Sequence, residues 1–245
     1  MVIPGEVLAE GMDYLPGDNT YRKDQNIYAR ALGIVSFMNR VVKITPLAGP
    51  YLPRIGDKII GRVIDITMSG WRIDTGTAYS AMLMVRDATT RFIKKEEDLS
   101  RILAIGDYVV VKIINVTSQN LIDLTMKYPG LHKVSGGRII ALNPQKVPRV
   151  IGKQGSMITL VKDASNCQIT IGQNGRVWIK GNTPDDEFKA EQAIRLIESK
   201  AHLEGLTERM EKYLGVKVRP IESFEQEQQS PPQAREERGT EDELY

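Results

Sequence analysis

Cysteine and histidine are nearly absent from this chain of 245 residues, which contains only Cys167, His132 and His202. A single cysteine cannot form an internal disulfide or a cysteine-based zinc site. Two histidines offer little for a metal site or a catalytic triad, and we expect both at the surface or at helix ends. Cys167 stands in an alternating apolar stretch, which predicts a small core residue rather than a nucleophile. We therefore expect no metal and no cofactor.

Long apolar runs are also missing. No run approaches the ~20 residues that a bilayer-spanning helix needs, so no membrane partner is expected. The first residues, MVIPGEV, lack the basic and continuous apolar regions of a secretory signal. Together these two absences predict a cytoplasmic protein.

Acidic residues are fewer than basic residues outside the C-terminal end. The last 25 residues contain eight Asp or Glu and two Arg, which leaves 31 basic and 23 acidic residues in positions 1–220. The region 216–245 is rich in Glu, Gln and Pro and poor in apolar residues, so it is predicted to be a disordered acidic tail. Its simplest role is to aid solubility, and folding back to compete with a polyanion for the basic body is an alternative. The basic body itself indicates a polyanionic partner.

Three folded regions precede this tail. Residues 1–54 combine short apolar stretches with Pro-Gly punctuation, which predicts a β-rich unit of short strands. Residues 55–128 read as five strands (58–66, 71–75, 79–85, 108–116 and 121–126), with a charged connection at 86–101. This count fits a small Greek-key barrel of the oligonucleotide-binding (OB) type. The fold class is therefore mixed β and α+β, in several domains.

Strands and helices alternate in residues 129–215. The pattern predicts a strand at 138–142, helices at 148–151 and 156–164, strands at 168–171 and 176–179, and a long final helix. Thr183 as N-cap, Pro184 at the first helical position and acids in the first turn mark where this last helix begins. Gly205 is predicted to mark its end.

Two pairs of glycines lie three residues apart, Gly152/Gly155 and Gly172/Gly175, and about two such pairs are expected by chance. The second pair lies between two strands, where Asn-Gly would supply the positive backbone angles of a hairpin turn. The first pair lies between two helices, where glycines let a ligand backbone approach and a helix N-terminus favours phosphate. A plain helix–helix turn would need the same glycines.

The charge around the first pair favours the functional interpretation. Residues 129–181 contain eight Lys or Arg and one acid, Asp163, as expected for a polyanion site. The candidate RNA-binding residues of this loop are Arg149, Gly152, Lys153, Gln154 and Gly155.

The segment PRVIGKQGSMI, followed by CQITI, resembles the core of a type I KH domain, whose GxxG loop grips single-stranded nucleic acid. The preceding region resembles an S1 domain of the OB fold. With IPGEVLAEG near the start and NGRVW after the KH core, the order is similar to the archaeal exosome RNA-binding cap subunits of the ribosomal RNA-processing protein four family.

This resemblance implies a non-catalytic subunit. Three such caps sit on a hexameric ring of ribonuclease PH-like subunits, capture single-stranded RNA and guide it into the ring for 3'-5' degradation. In this family the N-terminal region (1–54) and the S1 domain (55–128) contact the ring and surround the pore, and the KH domain (129–215) lies further out.

The S1 region departs from its family at one position. Many S1 domains present a Phe for base stacking where this chain has Arg72, although an arginine plane can also stack on bases. We expect Arg72 to guide RNA together with Arg91, Lys94 and Lys95 of the charged connection. Trp71 and Trp178 are expected to pack in the interior rather than bind RNA.

Two other functions stay open at this point. A transcription or translation factor could use S1 and KH modules outside an exosome, although the known type carries two KH domains and this chain has room for one. A stand-alone ribonuclease would need clustered carboxylates or a histidine pair. The best acidic cluster, Asp185, Asp186 and Glu187, is explained by helix capping.

Overall fold

The computed structural model describes residues 1–89, 91, 98–201 and 205–215. The predicted acidic tail at 216–245 lies outside the described residues, as do Lys94, Lys95 and His202. His132 is exposed, as predicted.

The N-terminal region consists of short strands in two three-stranded sheets. The strands are β1 (Val7–Glu10), β2 (Leu15–Pro16), β3 (Thr20–Lys23), β4 (Asn26–Ala29), β5 (Gly33–Met38) and β6 (Val41–Pro46). The sheet orders are β1-β4-β3 and β2-β6-β5. Left-handed backbone at Asp24 and Asn39 turns the two hairpins. The predicted unit of short hairpin strands is therefore confirmed.

The next five strands close into a barrel. They are β7 (Lys58–Thr67), β8 (Gly70–Asp74), β9 (Ser80–Met84), β10 (Tyr108–Val116) and β11 (Ile122–Thr125), in the order β10-β11-β9-β8-β7. Between β9 and β10 lie the short helix α1 (Val85–Ala88) and a 3-10 turn (Leu99–Arg101). Trp71 is fully buried, and its indole N–H donates to the Leu103 carbonyl at 2.9 Å. Both the predicted barrel and the predicted packing of Trp71 are confirmed.

The third region places four helices against a three-stranded sheet. Its elements are β12 (Arg138–Ala141), α2 (Val147–Ile151), α3 (Ser156–Ser165), β13 (Gln168–Ile171), β14 (Arg176–Lys180), α4 (Pro184–Ser199) and α5 (Leu206–Leu214). The sheet is antiparallel with the order β12-β14-β13. One core holds the apolar faces of sheet and helices, and it includes Cys167 as predicted. Burial raises the pKa of the Cys167 thiol, as expected for an inert core residue.

Helix α4 begins as predicted but ends earlier. The Thr183 hydroxyl accepts from the backbone N–H of Asp186 at 3.2 Å, and the Glu187 carboxylate accepts from the N–H of Gly181 at 3.2 Å. The predicted end at Gly205 is wrong, because α4 ends at Ser199 and Gly205 lies directly before α5. Gly205 has a φ of 65°, and the turn lets α5 bury Leu206 and Met210 in the same core. A glycine that separates two helices gives the same local signal as one that ends the chain's last helix.

The barrel and the KH-like region share an apolar interface. Trp178 of β14, 6% exposed, packs with Ile60 and Val110 of the barrel, as expected for a packing residue. The connecting segment adds backbone hydrogen bonds, from Val110 N–H to the His132 carbonyl at 2.9 Å and from Val134 N–H to the Tyr108 carbonyl at 2.8 Å. The two regions are therefore joined by both apolar packing and strand-like pairing.

The turn between β13 and β14 is the second connection. Residues 172–175 form the predicted hairpin turn, but only Gly175 has a positive φ, 81°, so the prediction that Asn174 shares this geometry is wrong. The side chain of Asn174 instead enters the barrel edge, where its amide donates to the carbonyls of Ile60 and Thr75, both at 2.8 Å. Its carbonyl oxygen accepts from the Ile60 N–H at 3.3 Å. We call this set of bonds the Asn174 clasp.

An ion pair lies beside the Asn174 clasp. Arg176 donates to the Asp74 carboxylate at 2.5 Å and to the Asp74 carbonyl at 2.8 Å. Burial acts to raise the pKa of the Asp74 carboxyl, but hydrogen bonds from Arg176 and from the Gly76 N–H outweigh it, so the pKa lies below its usual value. The pair holds the end of β8 against β14.

Candidate nucleic-acid interface

The loop between α2 and α3 is a tight turn with a positive φ at three of its four residues. Gly152 ends α2 with a φ of 77°, and its N–H donates to the Pro148 carbonyl at 3.0 Å. Gln154 and Gly155 have φ values of 53° and 81°. The chain therefore passes directly from the end of one helix to the start of the next, as the sequence predicted.

The two glycines of this loop are required for different reasons. A Cβ at Gly152 would lie 2.7 Å from both the backbone nitrogen and the Cβ of Met157, so a side chain there cannot fit. A Cβ at Gly155 would meet nothing within 4 Å. The Gly155 side of the loop is therefore open, and only its φ of 81° disfavours other residues.

Three polar side chains on or beside this loop are exposed to solvent. Arg149, Lys153 and Gln154 are all exposed. No hydrogen bond or ion pair from these three side chains to any described residue is present. Helix α3 also lacks a side-chain N-cap, because Gly155 precedes it. The loop thus offers two cations, an amide and an uncapped helix N-terminus, a combination that favours an anion.

A groove of about 240 Å³ lies beside this loop. It is lined by Ile151, Ile158, Lys162, Ile169, Thr170 and Ile171 of the KH-like region and by Lys58 of the barrel. Four isoleucines thus give the groove an apolar floor, with a lysine from the barrel and a lysine from α3 beside it. The contribution of Lys58 was not predicted, because a strand residue some hundred positions earlier in the chain gives no local signal of belonging to this groove.

The predicted residues of the S1-like region lie elsewhere. Arg72 lies on the exposed side of β8, opposite Asp65 of β7, with 3.9 Å between guanidinium and carboxylate and about half of each side chain exposed. Such an exposed pair stabilises little. Arg91 is exposed, and its backbone N–H donates to the Thr89 hydroxyl at 3.1 Å. The predicted roles of Lys94 and Lys95 fall on residues that are not described.

Metal ligands and membrane spans would indicate other kinds of function. Across positions 1–89, 91, 98–201 and 205–215, no group of three or more His, Cys, Asp or Glu side chains is placed to hold a metal ion. Across the same positions, no helix is long and apolar enough to cross a membrane.

Three family models match consecutive parts of the chain. The family described as "Exosome complex exonuclease RRP4 N-terminal region" matches residues 1–37, "RRP4, S1 domain" matches residues 50–99, and "KH domain" matches residues 137–185. The order of the three matches follows the order of the N-terminal sheets, the barrel and the loop-bearing region.

Three similar proteins are exosome complex components named Rrp4. The chain is 37% identical over 225 residues to the exosome complex component Rrp4 of Thermococcus kodakarensis, covering 90% of this chain and 87% of that protein. It is 37% identical to the Rrp4 of Methanothermus fervidus (91% and 96% covered) and 38% identical to that of Methanococcoides burtonii (93% and 85% covered).

A solved structure shares the fold. The crystal structure of a "putative exosome complex RNA-binding protein" superposes with a TM-score of 0.62 at 32% sequence identity. The match covers 68% of this chain and 96% of that one.

Proposed function

This chain belongs to the Rrp4 family of exosome complex components, and from that premise we propose that it is a non-catalytic cap subunit that captures single-stranded RNA. It guides that RNA into a hexameric ring of ribonuclease PH-like subunits, three caps to a ring, for 3'-5' degradation. The observation that carries the proposal is the open, basic loop at residues 152–155, which lies beside an apolar groove and is joined to a closed OB-type barrel.

The loop is suited to a sugar-phosphate backbone rather than to a compact anion. Its open side at Gly155 admits an extended chain, while Arg149 and Lys153 supply charge without fixing a geometry. The neighbouring isoleucines offer an apolar floor for bases. Backbone clamping beside an apolar groove is how KH domains hold about four nucleotides.

Charge reversal of Lys153 tests RNA capture by this loop. The variant Lys153→Glu should weaken binding of single-stranded RNA and reduce the slope of log K against log salt by about 0.7 for each phosphate that the protein no longer neutralises. Lys23→Glu, an exposed lysine of the N-terminal strand β3, is the matched control and should bind as the wild type does. Equal affinity and slope in both variants would make the loop a structural turn.

An exposed apolar patch on the N-terminal sheets supports docking to the ring. It comprises Met12, Tyr14, Leu15, Phe37 and Met38, which are 36–72% exposed. The rings of Tyr14 and Phe37 lie edge to face, with centroids 6.0 Å apart. A cluster of large exposed apolar side chains is expected where a subunit packs against another protein.

Co-purification tests this docking. A tagged wild-type chain should bring down ribonuclease PH-like ring subunits, and Phe37→Asp with Met38→Asp should abolish this while leaving RNA binding by the isolated chain intact. A wild-type chain that binds RNA but recovers no ring subunits would favour an S1/KH factor that works outside an exosome.

The second basic set, Arg72, Arg91, Lys94 and Lys95, is proposed to guide RNA toward the pore. Support comes from the loosely held guanidinium of Arg72 on the exposed barrel face. Replacement of all four by serine should slow RNA capture by the assembled complex without changing assembly. If RNA capture is unchanged, these four residues are solvent-exposed charges with no role in guiding RNA.

A further inference from the structure

Two lysines line the groove, and a third lies opposite one of them on the neighbouring barrel strand. Lys58 of β7 and Lys112 of β10 are directly opposite each other in the antiparallel pair, so their side chains share a face of the barrel. Lys58 and Lys162 of α3 both line the groove. Burial, and after it the ammonium of Lys162, lower the pKa of Lys58. The ammonium groups of Lys58 and Lys162 thus repel each other.

No acid compensates for this repulsion in the part of the chain that the structure describes. None of the three lysines forms an ion pair there. Lys58 and Lys162 each have an acid next to them in sequence, but the acid beside Lys162 does not face it, because adjacent helix residues do not face each other. Asp57, beside Lys58, instead accepts from the Tyr51 hydroxyl at 2.5 Å. Uncompensated like charges of this kind destabilise a protein unless a ligand neutralises them.

An exposed aromatic ring continues the same surface. The ammonium of Lys112 lies 4.5 Å from the ring centroid of Tyr128, whose side chain is about half exposed. Lys58 reaches over the connecting segment, with its ammonium 3.4 Å from where a Cβ on Gly130 would stand. The surface therefore runs without interruption from the groove through Lys58 and Lys112 to Tyr128.

We propose that Lys58, Lys112, Lys162 and Tyr128 form a track that carries single-stranded RNA out of the groove and onto the barrel. The RNA phosphates contact the ammonium groups of the three lysines, and one base stacks on the exposed part of the Tyr128 ring. The track rests on the proposed RNA-binding function and extends it, since it makes the groove and the barrel one continuous binding surface. It is separate from the Arg72 face, because Arg72 lies opposite Asp65, seven residues along β7 from Lys58, up to about 23 Å away.

RNA length separates this track from the loop at residues 152–155. Affinities for a 4-nucleotide and a 12-nucleotide oligouridine should be measured with the full-length chain, since about four nucleotides fill a KH groove. Tyr128→Leu should weaken the 12-mer about 5- to 150-fold, the reduction expected for one stacked base. Lys112→Gln should reduce the salt slope for the 12-mer by about 0.7. Both variants should bind the 4-mer as the wild type does.

Two comparisons make the outcomes distinct. Lys153→Glu should weaken both lengths, and the control Lys23→Gln should weaken neither. If Tyr128→Leu and Lys112→Gln bind the 12-mer like Lys23→Gln while Lys153→Glu does not, the track is refuted and the proposed function stands. If only the track variants weaken binding, the track stands and the loop assignment fails.

A wild-type measurement guards against damage to the fold. A 12-mer carrying 4-thiouridine should crosslink to the peptide that contains Tyr128, and absence of that crosslink would overturn the proposal. Lys112→Gln should lower the melting temperature by no more than about 4 °C, because the exposed contact between its ammonium and the Tyr128 ring contributes about 0.5–1 kcal/mol, at about 2–4 °C per kcal/mol. Weaker RNA binding together with a larger fall in the melting temperature would assign Lys112 a structural role instead.

Discussion

The Asn174 clasp can be tested by removing its amide. Asn174→Ala deletes three hydrogen bonds to the barrel, two at 2.8 Å and one at 3.3 Å, from a residue that is 7% exposed. A neutral hydrogen bond contributes about 0.5–1.5 kcal/mol net, and a buried group left unsatisfied costs more. Arg176 also donates to the Ile60 carbonyl, at 3.4 Å, and covers part of the loss. We expect the free energy of unfolding to fall by roughly 2–4 kcal/mol.

The chemistry of the clasp predicts a worse variant. Asn174→Asp replaces the donating amide by an oxygen that faces the carbonyls of Ile60 and Thr75. Because acceptors then oppose acceptors in a buried position, this variant should lose more stability than Asn174→Ala. Gln173→Ala is the matched control, since the hydrogen bond of Gln173 to the barrel comes from its backbone N–H, to the Lys58 carbonyl at 2.9 Å.

Urea unfolding of the full-length chain gives the measurement, and amide exchange gives the location. Asn174→Ala should lower the melting temperature by about 4–16 °C, at about 2–4 °C per kcal/mol, and should speed exchange of the Ile60 amide. If Asn174→Ala unfolds within about 0.5 kcal/mol of Gln173→Ala, the typical size of a neutral surface substitution, the clasp does not hold the two regions together.

Two further predictions concern the loop and the ion pair. Gly152→Ala should lower the free energy of unfolding in urea more than Gly155→Ala does, because the new Cβ at position 152 would overlap Met157. Gly155→Ala has only the cost of its positive φ, roughly 1–2 kcal/mol. Equal destabilisation by the two variants would show that the lack of space at Gly152 does not matter. The pKa of Asp74 is depressed in the folded state, so its stabilising contribution is present above the unfolded value of about 3.9 and is lost as the pH falls through the folded value. Unfolding measured from neutral pH down to about pH 2 should show that Asp74→Asn lacks this part of the acid sensitivity, and an unchanged profile would contradict the role of the Arg176 pair.

Features that depend on nearby residues were predictable from the sequence. Alternation of apolar residues places the barrel strands, and Thr183 with Pro184 fixes the start of α4, because capping involves residues within one turn. The loop at residues 152–155 was located for the same reason, since its glycines and both flanking helices are adjacent in the chain.

Features that depend on distant residues were not. Asn174 and Ile60 are 114 residues apart, and no periodicity connects them. The Asn-Gly pair predicts a hairpin turn, and that turn is present. Nothing in the local sequence indicates that the asparagine side chain also forms hydrogen bonds with the barrel. Lys58 is similar, because its position on β7 looks like the polar start of a strand until the fold brings α3 beside it.

The interface around Trp178 has a practical consequence for anyone who divides this chain. A cut at the predicted boundary between residues 128 and 129 would leave Trp178 uncovered on one fragment and Ile60 with Val110 uncovered on the other. It would also strip the Ile60 backbone of its asparagine partner. Each fragment would then expose apolar side chains, and the barrel fragment would also have unpaired backbone groups. The two domains that sequence comparison recognises separately are therefore better cloned, crystallised and mutated as one piece.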